Sequence, residues 1–254
     1  MSETTLAVAI GNSRMTMAVM LGNVVLSKYA CPTAELNRFR REPVQPALIG
    51  LESVDRILIS SVVPDAVPIS KELLRALLPN IEARVITHEI VPMASEYDPP
   101  ESLGIDRLLS GFAAYTMFGK RERRPILVVD LGTATTLNCI SADGVFLGGV
   151  ITLGVLSTLR ALGEQTAQLP EEAFEIPDSV LANSTSSAIR SGVFFSAILG
   201  IRGLASLLSE QAFAGETPIV VNTGGMANKL QEYLQPGALT DPDLLLKGIA
   251  LLPG

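Results

Sequence analysis

Tryptophan is absent from this 254-residue chain, histidine occurs once, and aromatic residues make up only 5%. Proteins that hold nucleic acid combine basic stripes with stacking platforms. Here 19 basic side chains stand against 26 acidic ones, a formal charge of −7, so a nucleic-acid partner is excluded. Charge of either sign is scarce, at 18% of residues against 48% hydrophobic. A surface so poor in charge suits either a bilayer or a buried subunit interface. The longest uncharged run, Gly144 to Leu159, is glycine-rich and shorter than the ~20 apolar residues a span requires. The N-terminus carries Glu3 and no positive segment ahead of its apolar run, so no secretory signal is expected. Cys31 and Cys139 lack metal-ligand spacing and suit a reducing compartment. These absences predict a soluble, cytoplasmic oligomer, not bound to a membrane, long enough for one large domain or two smaller ones.

What is present is an alternation of apolar strand-length runs with helical patterns. Leu6–Ile10, Thr16–Met20 and Val24–Leu26 read as strands parted by the turn signals Gly11-Asn12 and Gly22-Asn23. Ile57–Val63, β-branched and closed by Pro64, suits a buried parallel strand. Ile69–Leu78 and Leu108–Phe118 have helical spacing. The charged, proline-ended segment Gly119–Pro125 is the one break in composition, and it places a boundary between domains 1–118 and 124–254. An internal repeat supports two domains. Leu6–Ala9 runs into Ile10-Gly11-Asn12-Ser13, and Ile126–Val129 runs into Asp130-Leu131-Gly132-Thr133, about half a chain length later.

A strand, a glycine turn and short hydroxyl or amide residues make a phosphate cradle. Glycine lets the backbone approach the anion while N–H groups and hydroxyls donate to its oxygens. An aspartate at the strand end, as at Asp130, can hold a metal ion beside those oxygens. No GxxxxGK[ST] loop exists, so this is not a Walker-type site. Gly104-Ile105-Asp106-Arg107, ahead of a helix, reads either as an N-cap or as a general base beside an anion-binding guanidinium. Gly148–Gly154 suits close backbone packing or a substrate wall, and Asn222-Thr223-Gly224-Gly225 a turn or a flat seat for a base. His88, the single histidine, sits near the end of an apolar strand and reads as structural.

In this order the motifs resemble those of the type III pantothenate kinases, members of the acetate and sugar kinase/Hsp70/actin superfamily. The resemblance runs the whole length: Ile10–Ser13, Ser60–Pro64, Tyr97 with Gly104–Arg107, Asp130–Thr136, Gly148–Gly154, Thr185, Thr223–Gly225 and Leu245–Gly248. It implies an α/β fold of two actin-like (ribonuclease H-like) domains, with mixed sheets flanked by helices, facing across a cleft. It implies ATP-dependent phosphorylation of pantothenate to 4′-phosphopantothenate, the first step towards coenzyme A. Asp106 is then the catalytic base, and Tyr97, Gly104, Ile105 and Arg107 line the pantothenate site with Thr185 reaching in from the second subunit of a homodimer. Gly11, Asn12, Ser13, Gly132, Thr133, Gly224 and Gly225 contact ATP, while Asp130 binds metal. The expected cofactors are Mg²⁺ and a monovalent cation, K⁺ or NH₄⁺.

Three positions depart from the family's pattern. Ala9 stands where the first phosphate motif should begin with Asp, Asn138 where an Asp is usual, and Leu153 where a Pro is usual. Loss of one phosphate-site anchor costs about 3–4 kcal/mol of transition-state stabilisation. The alternative reading is therefore a weak or silent relative that binds ligand as a regulator.

Overall fold

The computed structural model describes residues 3–40, 47–166, 169–170 and 172–253. Chain order is β1 (Thr4–Ile10), β2 (Arg14–Leu21), β3 (Val24–Pro32), β4 (Arg56–Ser61), α1 (Ala66–Leu77), β5 (Ala83–Val85), α2 (Ile105–Ala114), β6 (Ile126–Leu131), β7 (Ala134–Ile140), β8 (Phe146–Leu153), α3 (Val155–Gln165), α4 (Thr185–Ala212), β9 (Ile219–Thr223), α5 (Ala227–Leu230), β10 (Leu239–Thr240) and α6 (Leu244–Ala250). Two compact units result. The first comprises Met1–Met117, Gly144–Phe146 and Asp243–Gly254, and the second Phe118–Asp143 and Leu147–Pro242. Residues 243–254, which the sequence reading assigns to the C-terminal domain, thus cluster with the first unit.

The first unit is built on a sheet of order β3-β2-β1-β4-β5. β1 pairs antiparallel with β2 and parallel with β4, and β5 continues parallel to β4. Leu6, Val8 and Ile10 of β1 enter one core with Met15, Met17, Ile57, Ile59 and Leu74. By strand alternation Thr5, Ala7 and Ala9 face the other side, where α6 packs on β1 and α2 on β4. β3 is longer than the expected Val24–Leu26 because it is an edge strand. Its exposure alternates, and the polar Ser27 and Lys28 hide the pattern.

The second unit repeats this topology. Its order β8-β7-β6-β9-β10 matches the first sheet strand for strand, with β6–β7 antiparallel and β6–β9 and β9–β10 parallel. Leu127, Val129 and Leu131 of β6 face a core shared with Val193, Phe194 and Ile198 of α4. The repeat expected from the two glycine turns is therefore a repeat of whole sheets.

α4 has no counterpart in the sequence reading. Its start is fixed by a capping box in which the Ser184 hydroxyl accepts from Ser187 N–H and Ser187 Oγ accepts from Ser184 N–H. The helix is long and apolar enough to cross a membrane by length and composition, although Arg190 and Arg202 interrupt its uncharged stretches. Its buried face, however, belongs to the second unit's core. The irregular segment before it is tied down by Arg190, which pairs with Glu172 at 2.7 Å and with Glu175, and by Ser191 Oγ, which donates to the Val180 carbonyl.

Candidate active site

Asp106 lies in the first turn of α2, which begins at Ile105, three residues before the expected start. Gly104 is the capping residue, and its missing side chain leaves room for the Asp106 carboxylate. A β-carbon on it would lie 2.6 Å from Asp106 Oδ1. The carboxylate folds back over the helix start and accepts the Arg107 backbone N–H at 2.8 Å. Burial pushes the Asp106 carboxyl above the usual aspartate value, against the opposing pull of that N–H and of the Arg107 charge. A carboxylate so placed is a good proton acceptor held by backbone donors at a helix N-terminus.

Arg107, 7% exposed, is fixed by aromatic groups. Its Nη1 donates to the Tyr97 hydroxyl at 3.1 Å, and the guanidinium carbon stands 5.2 Å from the Tyr97 ring centre and 5.7 Å from that of Phe146. Tyr97 and Phe146 meet edge to face. The main chain ties these rings together, since Glu96 N–H donates to the Phe146 carbonyl and Phe146 N–H to that of Ala94. The sequence reading finds Tyr97 and Arg107 but misses Phe146, which is ~40 residues downstream and had no local signal beyond its turn residue, Gly144. Ile105, the first residue of α2, is buried. Tyr97, Gly104, Ile105, Asp106 and Arg107 thus share one locality of the first unit.

The first glycine turn belongs to the same unit. Gly11 N–H donates to the Arg14 carbonyl, and Asn12 and Ser13 are exposed. Thr33, another residue the sequence reading missed, clamps the turn from below: its hydroxyl donates to the Gly11 carbonyl at 2.7 Å and its N–H to that of Ser13. Ala9, 8% exposed, pairs in register with Thr16 and Ser60 and brings no carboxylate to the strand end.

In the second unit the equivalent strand position is Asp130, paired with Thr136 and Thr223. Gly224, at φ 89°, lies against it: a β-carbon would stand 2.4 Å from Asp130 Oδ1 and 2.7 Å from the Leu131 nitrogen, so only glycine fits. Gly132 N–H donates to the Ala134 carbonyl, and the exposed Thr133 has its carbonyl held by Gly154 N–H and Ser157 Oγ. Gly225 is exposed beside Gly224. The structure thus joins Asp130, Gly132, Thr133, Gly224 and Gly225 in one place. Asn138 is fully buried and donates to Thr136 Oγ1 at 3.0 Å, a bond that an ionised carboxylate could not make. Leu153 is exposed.

Among the described residues no group of three His, Cys, Asp or Glu could cage a metal ion. A single carboxylate beside open glycine backbone nonetheless fits Mg²⁺, which keeps several waters and binds through one or two carboxylates plus substrate phosphates. Both cysteines are free and buried, and burial pushes the Cys139 thiol up to about 11, so it is no nucleophile. Thr185 of the second unit is exposed in the first turn of α4 and lines a largely apolar hollow of about 530 Å³ together with Leu162, Ile189 and Gly192.

Two sheets of one topology, each opening on a glycine turn, define an actin-like (ribonuclease H-like) α/β protein. Residues 5–206 match the type III pantothenate kinase family, and the chain belongs to that family. It is 32% identical to type III pantothenate kinase 1 of Symbiobacterium thermophilum, over 97% of this chain and 95% of that one. It is 34% identical to the type III pantothenate kinase of Sphingopyxis alaskensis, over 96% and 95%. In fold it is similar to a Campylobacter jejuni protein described as a Baf family transcriptional activator, with a TM-score of 0.60 at 21% identity over 96% and 94% of the two chains.

Proposed function

We propose that the protein transfers the γ-phosphoryl group of ATP to the primary hydroxyl of pantothenate, in the cytoplasm, giving 4′-phosphopantothenate and ADP. The observation that carries this reading is the Asp106 carboxylate, raised in basicity by burial and held beside an aromatic-clamped guanidinium. Asp106 orients the hydroxyl and takes its proton as the new P–O bond forms and the bond to the β-phosphate oxygen breaks. Phosphoryl transfer has a loose transition state, so the proton moves late and an ordinary carboxylate suffices. Arg107 and Tyr97 bind the anionic substrate, with Gly104 and Ile105 shaping the turn beneath it. Backbone and hydroxyl donors at Gly11–Ser13 and Gly132–Thr133 hold the phosphates, and Gly224-Gly225 seats the nucleoside.

Asp130 is the residue that would hold a cation, K⁺ or NH₄⁺ included, and Mg²⁺ bound with ATP supplies charge neutralisation on the transferring group. A steady-state assay of ADP release with ATP, Mg²⁺, K⁺ and pantothenate tests the reading. Turnover that requires pantothenate and disappears in Asp106→Asn is expected. A parent protein that binds pantothenate but never turns it over would instead be a silent relative.

We further propose a homodimer formed through α4. The outward face of this helix carries Ala188, Gly192, Ser196, Leu199, Gly203 and Leu207, all exposed and uncharged, with Leu199 at 64% and Leu207 at 54%. Small residues permit close helix approach, and exposed apolar side chains in a row favour a self-complementary contact. Thr185 lies at the start of the same helix, where a second subunit would meet it.

A further inference from the structure

Between β5 and α2 the chain forms a long irregular loop whose two ends meet. It leaves β5, makes a tight turn over His88–Ile90, passes through Ser95 and Tyr97, turns again over Pro100–Ser102 and reaches the buried Leu103 just before the Gly104 cap. At its neck, His88 Nε2 lies 2.5 Å from the Leu103 carbonyl oxygen. A compact loop of this length with closed ends is an Ω-loop, the kind of segment that carries function on a rigid scaffold. This one carries Tyr97 and delivers the chain into Gly104–Arg107.

We propose that His88 is a positioning residue for the phosphoryl transfer, acting through its Nε2–H bond to Leu103; the kinetic part of this inference rests on the function proposed above. The Leu103 carbonyl can only accept, so the imidazole carries its proton on Nε2 and donates. That carbonyl lies one residue before the helix, whose own first bonds run from Arg107 and Leu108 N–H to the Gly104 carbonyl. His88 therefore supplies the donor that a buried carbonyl at this point requires. The lever is short: Leu103 adjoins Gly104, and Gly104 abuts the Asp106 carboxylate. Misplacement of a catalytic group by an ångström costs up to ~10²-fold in rate. A released neck lets the Asp106 turn and the Tyr97 loop drift together, lowering kcat and weakening pantothenate binding without touching the nucleotide residues of the second unit.

The test compares His88→Ala, His88→Asn and His88→Gln with the parent. The Gln amide reaches the place of Nε2, whereas the Asn amide falls short of it. For Ala and Asn we expect kcat to fall about tenfold, KM for pantothenate to rise several-fold and KM for ATP to stay unchanged. Gln should return both parameters to within about twofold of the parent, on the same grounds of restored geometry. Amide hydrogen exchange over residues 89–102 should quicken in Ala and Asn and return to the parent pattern in Gln. Equal loss in Asn and Gln, or kinetics like the parent's in all three, overturns the proposal, whatever the change in melting temperature. A parent without pantothenate turnover overturns the functional reading instead. The neck bond is then judged on exchange alone: a Gln pattern like that of Asn rejects it, and a Gln pattern like the parent's retains it.

Discussion

At Asp106 burial and charge pull in opposite directions, and the balance sets two pH effects. Burial is the larger influence and raises the carboxyl above its usual value of 3.8, so the folded protein holds this proton more tightly than the unfolded chain. Stability linked to the group is present below the unfolded value and is lost as pH rises through the folded one. Under the proposed mechanism activity runs the other way, because a base at Asp106 must be unprotonated. The acid limb of kcat/KM should therefore titrate above the ordinary aspartate range. Asp106→Asn should remove turnover by 10²–10⁴-fold, the usual span for a general base, while stability changes by no more than about 1 kcal/mol, since an uncomfortable charge and a favourable helix-start charge are lost together. A pH–rate profile with a limb at the ordinary value would reject the base assignment. Ala9 is the other residue to probe. Ala9→Asp places a carboxylate at the strand position that Asp130 occupies in the second unit, and kcat in Mg²⁺ should rise by 10–10³-fold with pantothenate binding unchanged. If activity is equal with and without this carboxylate, the first phosphate turn works through its backbone and hydroxyl donors alone.

At the scale of elements, glycine positions decide how closely strands approach. A β-carbon on Gly149 of β8 would overlap the Leu137 carbonyl oxygen of β7, backbone against backbone, so the strand itself must shift. Gly149→Ala should destabilise the protein by about 1–3 kcal/mol in denaturant unfolding, whereas Gly225→Ala, with open space around it, should cost much less. The glycine-rich run was legible as close packing because its composition carries that meaning. The first strand of each sheet, the parallel strand before Pro64 and the repeat were legible for a similar reason, since buried strands read as continuous apolar runs. β3 was cut short because an edge strand alternates. α4 was missed because it is apolar on its outer as well as its inner face, which erases helical periodicity, and because three glycines punctuate it. In the site, residues contiguous in sequence, such as Gly104–Arg107, could be found. Phe146 and Thr33 could not, because they reach their partners only through sheet topology, and the partner of His88, a backbone carbonyl, is one that no sequence pattern marks.

For the molecule as a whole, the scarcity of charge noted in the composition is matched on α4, whose outward row from Ala188 to Leu207 is small and uncharged along about five turns. Leu199→Glu should put a charge in the middle of that face and convert the proposed dimer to monomer at micromolar concentration, as read by sedimentation velocity; a parent that is already monomeric rejects the proposal. A sharper experiment asks which subunit supplies Thr185. Asp106→Asn homodimers lack the base, and Thr185→Arg homodimers have a blocked wall, so each should be inactive alone. When the two are unfolded, mixed in equal amounts and refolded, half of the dimers are mixed ones. If Thr185 serves the other subunit, each mixed dimer has one site with both defects and one site with none. Activity should then return to about a quarter of the parent's, from subunit statistics in a two-fold assembly. If Thr185 serves its own subunit, every site carries one defect or the other and nothing returns. Recovery in the mixture, absent when Leu199→Glu is added to both chains, ties the apolar face of α4 to a site shared between subunits.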